Sequence, residues 1–120
     1  MANPNIVNVT SIFGKTVGAA VTTTVAALVS NSAASNKIFK INSLTIANVD
    51  GVNSADITVD VFKNQATALR LAFTIAVPAD ATLVVISKDS AIYLEENDSL
   101  RVTASANGDL EAVCSYEEIA

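Results

Sequence analysis

Three stretches of the sequence alternate large apolar residues with polar or small ones at a period of two. They are 57–61, 67–77 and 100–105, and the longest has large apolar side chains at Leu69, Leu71, Phe73, Ile75 and Val77. Successive residues of a β-strand point to opposite faces of the sheet, so each stretch predicts a strand with one apolar face. The Val, Ile and Thr content of these stretches also favours strands.

Turn-forming residues separate the apolar runs at short intervals, notably Asp50–Gly51, Pro78 and Asn107–Gly108. The strands predicted between such turns are 6–13, 18–29, 37–48, 55–62, 67–77, 82–87, 91–94, 99–106 and 109–117. Alanines within 18–29 also suit a helix, but Thr22–Thr24 and the spaced valines favour a strand. Eight or nine short antiparallel strands predict a single-domain, all-β sandwich, jelly-roll-like, with an immunoglobulin-like topology as the alternative.

The composition excludes several kinds of chemistry. The chain has no His, no Trp and one Cys, so a Ser-His-Asp triad, an imidazole metal site and a thiolate zinc cluster are absent. We therefore expect no enzyme activity, no catalytic residues and no cofactor. The net charge of −5 argues against nucleic acid as a partner. The single Cys114 lies in an alternating, acidic run, which predicts a small buried apolar residue.

Two acidic loops are candidates for binding a hard cation such as calcium. One contains Asp50, Asn53 and Asp56, and the other is 95–98. Neither has the regularly spaced acidic residues with a central Gly and a terminal Glu that a calcium loop uses. We expect solvated turns and no metal site.

The N-terminus lacks the basic start and apolar core of a secretory signal, and the weakly polar run 17–29 is too short to cross a bilayer. The expectation is a protein made in a reducing cytoplasm, with no membrane partner. The first 49 residues contain three Lys and no acidic residue, so the acidic residues all lie in 50–120. This uneven charge either serves self-association or docking onto an oppositely charged neighbour, or it means only that one edge or end of the fold is acidic.

Two candidate interaction surfaces follow from the pattern. The second face of the strand 67–77 is small and flat, which predicts an oligomer interface unless the chain's own loops cover it; its residues are Ala68, Arg70, Ala72, Thr74 and Ala76. The segment 1–16, which precedes a sandwich domain at 17–120, is predicted to be an edge strand or a docking arm. Its candidate docking residues are Ile6, Val7, Val9, Ile12, Phe13 and Lys15.

The residues 86–106, with the corner Leu94-Glu95-Glu96-Asn97-Asp98-Ser99-Leu100, and 109–117 resemble small virion structural proteins of tailed bacteriophages, in particular contractile-tailed cyanophages. The residues 8–16, 46–51 and 56–60 are similar too. Two positions depart from the family pattern: Asn97 stands where Gly is expected, and Ala91 where Pro is expected.

The resemblance implies a β-sandwich carried on the virion, assembled in the host cytoplasm, with no catalytic residues to transfer. It implies a homotrimer whose partners are its own copies and the major capsid protein or other virion proteins. The expected role is capsid decoration, as a cement protein. The alternatives are a neck, collar or tail-fibre component and, from another class, a carbohydrate- or calcium-dependent adhesion module.

Overall fold

A computed structural model describes residues 3–120, in which two antiparallel sheets pack face to face. No helix in this range is long and apolar enough to span a membrane, and a single 3₁₀ turn occupies Lys88–Ser90. The strands in chain order are β1 Ile12–Val21, β2 Ala26–Ser30, β3 Ile38–Asn48, β4 Ala55–Lys63, β5 Thr67–Val77, β6 Thr82–Ile86, β7 Ile92–Leu94, β8 Ser99–Ala104 and β9 Leu110–Ile119.

The strand order is that of a jelly roll. One sheet runs β1-β9-β3-β6, with β7 pairing with the first half of β3 while β6 pairs with the second half. The other sheet runs β2-β8-β4-β5. The chain crosses between sheets at nearly every connection, apart from the β4–β5 hairpin and the β6–β7 link along β3. This confirms the all-β sandwich and its jelly-roll topology, and the immunoglobulin-like alternative is wrong.

The core lies between the sheets and follows the predicted alternation on β4 and β8. Ile57 and Val59 of β4 are fully buried, and Leu100 and Val102 of β8 pack with them. Each such side chain contributes about 1.5–3 kcal/mol when it leaves water. The largest apolar residues that are fully buried elsewhere in the core are Ile41, Leu44, Ile46, Leu94 and Leu110.

The first two predicted strands are wrong in their boundaries. Residues 6–8 form a turn, because the Asn5 side chain accepts a hydrogen bond from the Val7 N–H at 3.0 Å. The predicted strand 18–29 breaks at Thr22–Thr24, where the chain passes from one sheet to the other. The Thr23 N–H donates to the Asn107 side chain at 2.9 Å, a long-range contact that fixes this corner. The predicted division between residues 16 and 17 falls inside β1.

The run Lys63-Asn64-Gln65 predicts a tight hairpin connection, and the β4–β5 hairpin turns there. Asn64 and Gln65 both have positive φ, at 55° and 52°, as the two central residues of a type I′ turn do. The Ala66 N–H closes it on the Lys63 carbonyl at 2.9 Å. The run Asn107-Gly108-Asp109 predicts a hairpin turn. A turn forms there, but it joins strands of different sheets, so the prediction of a hairpin is wrong.

The edge strand β5 carries two β-bulges. Leu71 lies between the paired residues Arg70 and Ala72 and has no β4 partner of its own. Further along, Phe73 and Thr74 together stand opposite one β4 residue. Each extra residue reverses the alternation. As a result Ala72 is buried, whereas Leu71 and Phe73 are exposed.

Leu69 and Ile75 keep the predicted face, opposite the buried Val61 and Ile57, but they are exposed on this edge strand, so the prediction that this face of β5 is buried is wrong. Of its large apolar residues only Val77 is buried, and the exposed ones are Leu69, Leu71, Phe73 and Ile75. The five residues predicted to form one flat oligomer face are divided as well. Ala72 is buried and Ala68 is half-buried, while Arg70, Thr74 and Ala76 are exposed.

Candidate functional site

The first acidic loop uses its carboxylate to hold its own shape. Asp50 accepts hydrogen bonds from the backbone N–H groups of Val52 at 2.8 Å and Asn53 at 3.2 Å. These N–H groups, with the Asn53 side chain, lower the pKa of Asp50. Partial desolvation raises the pKa of Asp109, and the neighbouring Asp50 raises it further. Asp50 is thus occupied as a turn-forming residue.

The second acidic loop contains the distinctive corner of the sequence. Asp98 is buried, and its carboxylate accepts from Lys63 Nζ at 2.7 Å, the Asn64 N–H at 2.9 Å and the Glu95 N–H at 3.0 Å. Asn97 has φ 69°, a conformation that Asn tolerates. The corner is a packed joint between β8 and the β4–β5 hairpin. Within residues 3–120, no cluster of three or more acidic or cysteine side chains is arranged to hold a metal ion.

The loop between β2 and β3 is anchored at the same corner. Its first residue, Asn31, is fully buried and donates to the carbonyls of Lys37 and Leu94 at 2.9 and 3.0 Å. The Asn31 N–H also donates to the Asp98 carbonyl at 2.9 Å. The sequence predicts a flexible polar loop at 31–36, and at Asn31 that prediction is wrong.

Most of the basic residues pair with acidic residues of the same chain. Glu118 bridges Lys15 at 2.7 Å and Lys37 at 3.0 Å. Arg101 makes two hydrogen bonds to the buried Asp60, at 2.8 and 3.1 Å. Two of the three lysines in the first 49 residues, Lys15 and Lys37, are therefore joined to the acidic last strand within the monomer.

Cys114 is fully buried between the sheets, as its sequence context predicts. Burial raises the pKa of its thiol to about 11. Because the thiolate is the reactive form, this cysteine is chemically quiet at neutral pH.

The candidate docking residues are spread along the N-terminal segment and the start of β1. Val7 is 90% exposed at the tip of the turn, Ile6 beside it is also exposed, and Val9 is half-buried. Ile12 and Phe13 are exposed on β1. Lys15 follows on the same strand and is held by Glu118.

This segment is tied to the rest of the fold by main-chain contacts. The N–H groups of Thr10 and Ser11 donate to the Ala120 carbonyl at 2.6 and 2.9 Å, and the Asn3 side chain donates to Glu95 at 2.9 Å. Four of its apolar side chains, Ile6, Val7, Ile12 and Phe13, nevertheless remain exposed to solvent. The segment therefore presents apolar groups from an anchored backbone.

A shallow hollow of about 280 Å³ lies over the pairing of β1 with β9. It is lined by Gly18, Ala19, Ala20, Glu111, Ala112 and Val113. Sequence reasoning did not find this surface, because it depends on the register that sets Gly18 beside Val113 and Ala20 beside Glu111. The alternation of Glu111 and Val113 with buried residues was the available signal for an exposed face on β9.

Comparison with known proteins supports the fold. No protein-family model matches the chain, and no curated protein matches it. A solved structure described as "Bacillus endospore appendages form a novel family of disulfide-linked pili" is similar over 92% of this chain and 87% of that chain. The TM-score is 0.55 at 13% sequence identity, which shows a shared fold.

Proposed function

We propose that the protein is a non-enzymatic structural subunit of a phage virion, and that it decorates the capsid as a trimer. The observation that carries the proposal is the N-terminal segment. It holds exposed apolar side chains at Ile6, Val7, Ile12 and Phe13, on a backbone that is hydrogen-bonded to the sandwich. Such an arrangement suits insertion into an apolar recess of a larger shell.

The polar chemistry of the domain supports a structural role. The carboxylates of Asp98, Asp60 and Glu118 are engaged in ion pairs, and Asp50 holds its own turn. These groups stabilise the joints between loops and strands. The resemblance of the corner 94–100 to virion proteins is the reason for proposing a virion as the assembly.

The pilus neighbour supports the same broad class, because it is a structural protein with this fold. Its disulfide linkage has no counterpart on the described surface here, since the single cysteine of this chain is buried. We therefore propose association through noncovalent surfaces.

Capsid binding by variants of the N-terminal segment tests the proposal. Val7→Asp combined with Ile6→Asp should abolish co-sedimentation with capsids that lack the protein, because both side chains lose their apolar contact. Val52→Asp is the matched control, since Val52 is 85% exposed on a distant loop and should leave binding unchanged. Full occupancy by the Ile6/Val7 variant would overturn the docking role.

Copy number on purified virions separates decoration from the neck, collar or tail-fibre alternative. Decoration requires hundreds of copies per particle. About a dozen or fewer would replace decoration with the alternative. Absence of the protein from virions would overturn both.

A further inference from the structure

β1 presents an open edge of its sheet. It is the terminal strand beside β9, and no other strand of residues 3–120 pairs with it. Its pairing with β9 runs without a bulge from Ile12 to Val21, so the strand is long and regular. Eight of its ten residues are exposed, the exceptions being Val17 and Val21. The main-chain N–H and C=O groups on its outer side therefore face solvent, which makes β1 a template for another strand.

The other edges of the two sheets are blunted. β5 carries two bulges, and β2 has five residues with a register shift between Ala27 and Val29. The far edge of the β1 sheet consists of the short strands β6 and β7, and β6 also pairs with a register shift. Bulges and short strands close a sheet edge to other chains. Within residues 3–120, β1 is therefore the edge left open to regular pairing.

The occupant that this edge fits is β1 of a second copy. Main-chain pairing between two copies needs an open edge on each of them, and β1 is that edge in both. Two copies of one strand that are related by a twofold axis perpendicular to the sheet run antiparallel. Residues on the same face then lie opposite each other, so the two sheets join into one continuous sheet.

Side-chain size along β1 is self-complementary in this arrangement. The strand begins with the bulky Ile12 and Phe13, which are 54% and 60% exposed, and the small Ala19 and Ala20 lie near its end. A twofold axis at Thr16 sets Ile12 opposite Ala20, and Phe13 opposite Ala19, of the other copy. Large side chains then cover small ones at both ends of the contact. The two Thr16 side chains meet at its centre, and Thr–Thr pairs stabilise antiparallel strands.

The neighbouring registers fit worse. An axis at Lys15 sets two ammonium groups directly opposite each other, which is unfavourable. An axis at Val17 sets Ile12 opposite Thr22, which lies in the corner after β1 and belongs to no strand. With the axis between these two positions, Lys15 lies opposite Val17 of the other copy and keeps its ion pair with Glu118.

We propose that β1 of one copy pairs antiparallel with β1 of a second copy, about a twofold axis at Thr16. The contact goes beyond the proposed function, because a twofold pairing does not build a trimer but joins a copy of one trimer to a copy of another. Ile12 and Phe13 are covered by the pairing. Ile6 and Val7 lie outside β1 and stay free to contact a shell.

Charges placed at the axis test the pairing in the purified chain, without any capsid. Thr16 is exposed, so its replacement leaves the core intact. Thr16→Lys and Thr16→Glu should each weaken self-association about tenfold or more in sedimentation equilibrium, because like charges lie directly opposite. An equimolar mixture of the two variants should associate to within about threefold of wild type, because opposite charges then meet. A mixture that associates no better than either variant alone overturns the pairing, as does a wild-type chain that stays monomeric at millimolar concentration.

Cysteine cross-linking tests the register. Thr16→Cys should form an intermolecular disulfide on mild oxidation, because residues opposite each other at the axis have Cα atoms about 4.5–5.5 Å apart. Gly14→Cys is the matched control, since it lies on the same face of the same strand and has room for a Cβ atom. Its two copies lie four residues out of register, about 13 Å apart, so it should not cross-link to itself.

Two further measurements complete the cross-linking experiment. The native Cys114 is buried, so Thr16→Ala in place of Thr16→Cys should give no disulfide. Far-UV circular dichroism checks that each variant keeps its sheets. Cross-linking at position 14 that equals or exceeds cross-linking at position 16 overturns the proposed contact.

Discussion

The Oδ2 atom of Asp98 lies 2.7 Å from Nζ of Lys63, and this ion pair joins the corner before β8 to the β4–β5 hairpin. The Asp98 side chain is 2% exposed, whereas that of Lys63 is 37% exposed. The buried carboxylate accepts two backbone N–H bonds as well, so three donors converge on one side chain. The corner that carries the resemblance to virion proteins is thus a stabilising joint.

Asp98→Asn should destabilise the protein by about 3 kcal/mol, because the amide removes the charge and turns N–H groups toward donors. The free energy of unfolding from urea titrations measures the effect. Asp89→Asn, at an exposed position of the 3₁₀ turn, is the control and should change stability by less than about 0.5 kcal/mol. Equal effects of the two substitutions would remove the structural role of the corner.

Glu118 makes stability depend on pH. Lys15, and then Lys37, lower the pKa of Glu118 below its ordinary value of 4.5. Because the native pKa is the lower one, the stabilisation is complete above the unfolded value and disappears as pH falls through the native value. Glu118→Gln should cost about 1 kcal/mol near neutral pH. The difference between the two proteins should shrink toward zero as the pH drops well below 4.

The contribution of Lys15 to the stability of the Lys15–Glu118 ion pair is lost at high pH instead of low pH. Glu118 raises the pKa of Lys15 above 10.5, so the Lys15 contribution persists until the pH rises through that higher native value. Urea titrations of the wild type and Glu118→Gln at several pH values measure both limits. A stability difference that stays constant from neutral to acidic pH would show that this ion pair does not stabilise the fold.

Local sequence signals predict most strands because alternation and turns are local properties. The strands from β3 to β9 begin and end within about two residues of the predicted positions, and the tight hairpin connection predicted at residues 63–65 is formed. The break between β1 and β2 was missed because Thr22–Thr24 favours strands in isolation. Hydrogen bonds between the Thr22 hydroxyl and the Thr24 backbone turn the chain locally, and the contact of Thr23 with Asn107, far away in the sequence, holds the corner.

The faces of β5 and the hollow required the three-dimensional structure. An alternating sequence gives no sign of a bulge, and two bulges in one strand turn Leu71 and Phe73 outward. Likewise, the hollow forms where Gly18 and Val113 are set side by side by the pairing of the first and last strands. The docking role of Ile6, Val7, Ile12 and Phe13 stays a prediction from the apolar N-terminal sequence, and the structure adds that these four side chains are exposed.

Cys114 should resist modification in the folded protein. Its buried thiol has a pKa of about 11, compared with an ordinary value of 9.0, so the thiolate fraction near pH 8 is about a hundredfold lower than in the unfolded chain. An aromatic disulfide reagent should label one thiol per chain in denaturant and almost none under native conditions. Fast native labelling would contradict the burial. Cys114→Ser should cost about 1–3 kcal/mol, because it buries an unpaired hydroxyl.

Replacing Thr74 with glycine should make the protein more stable. It has φ 47° at the second bulge, a conformation that costs a β-branched residue about 1–2 kcal/mol. Glycine removes this strain, but it has more conformational freedom in the unfolded chain, which lowers stability by about 0.5–1 kcal/mol. Thr74→Gly should therefore raise the free energy of unfolding by up to about 1.5 kcal/mol.

The comparison variant is Thr103→Gly, at a regularly paired position of β8. Thr103 does not have a positive φ, so Thr103→Gly should lower the free energy of unfolding by about 1 kcal/mol. The Thr74 N–H donates to the Thr58 hydroxyl at 3.1 Å, and glycine keeps this bond, so the bulge itself is preserved. Equal losses in the two glycine variants would mean that the bulge stores no strain. The outward direction of Phe73 would then need another cause.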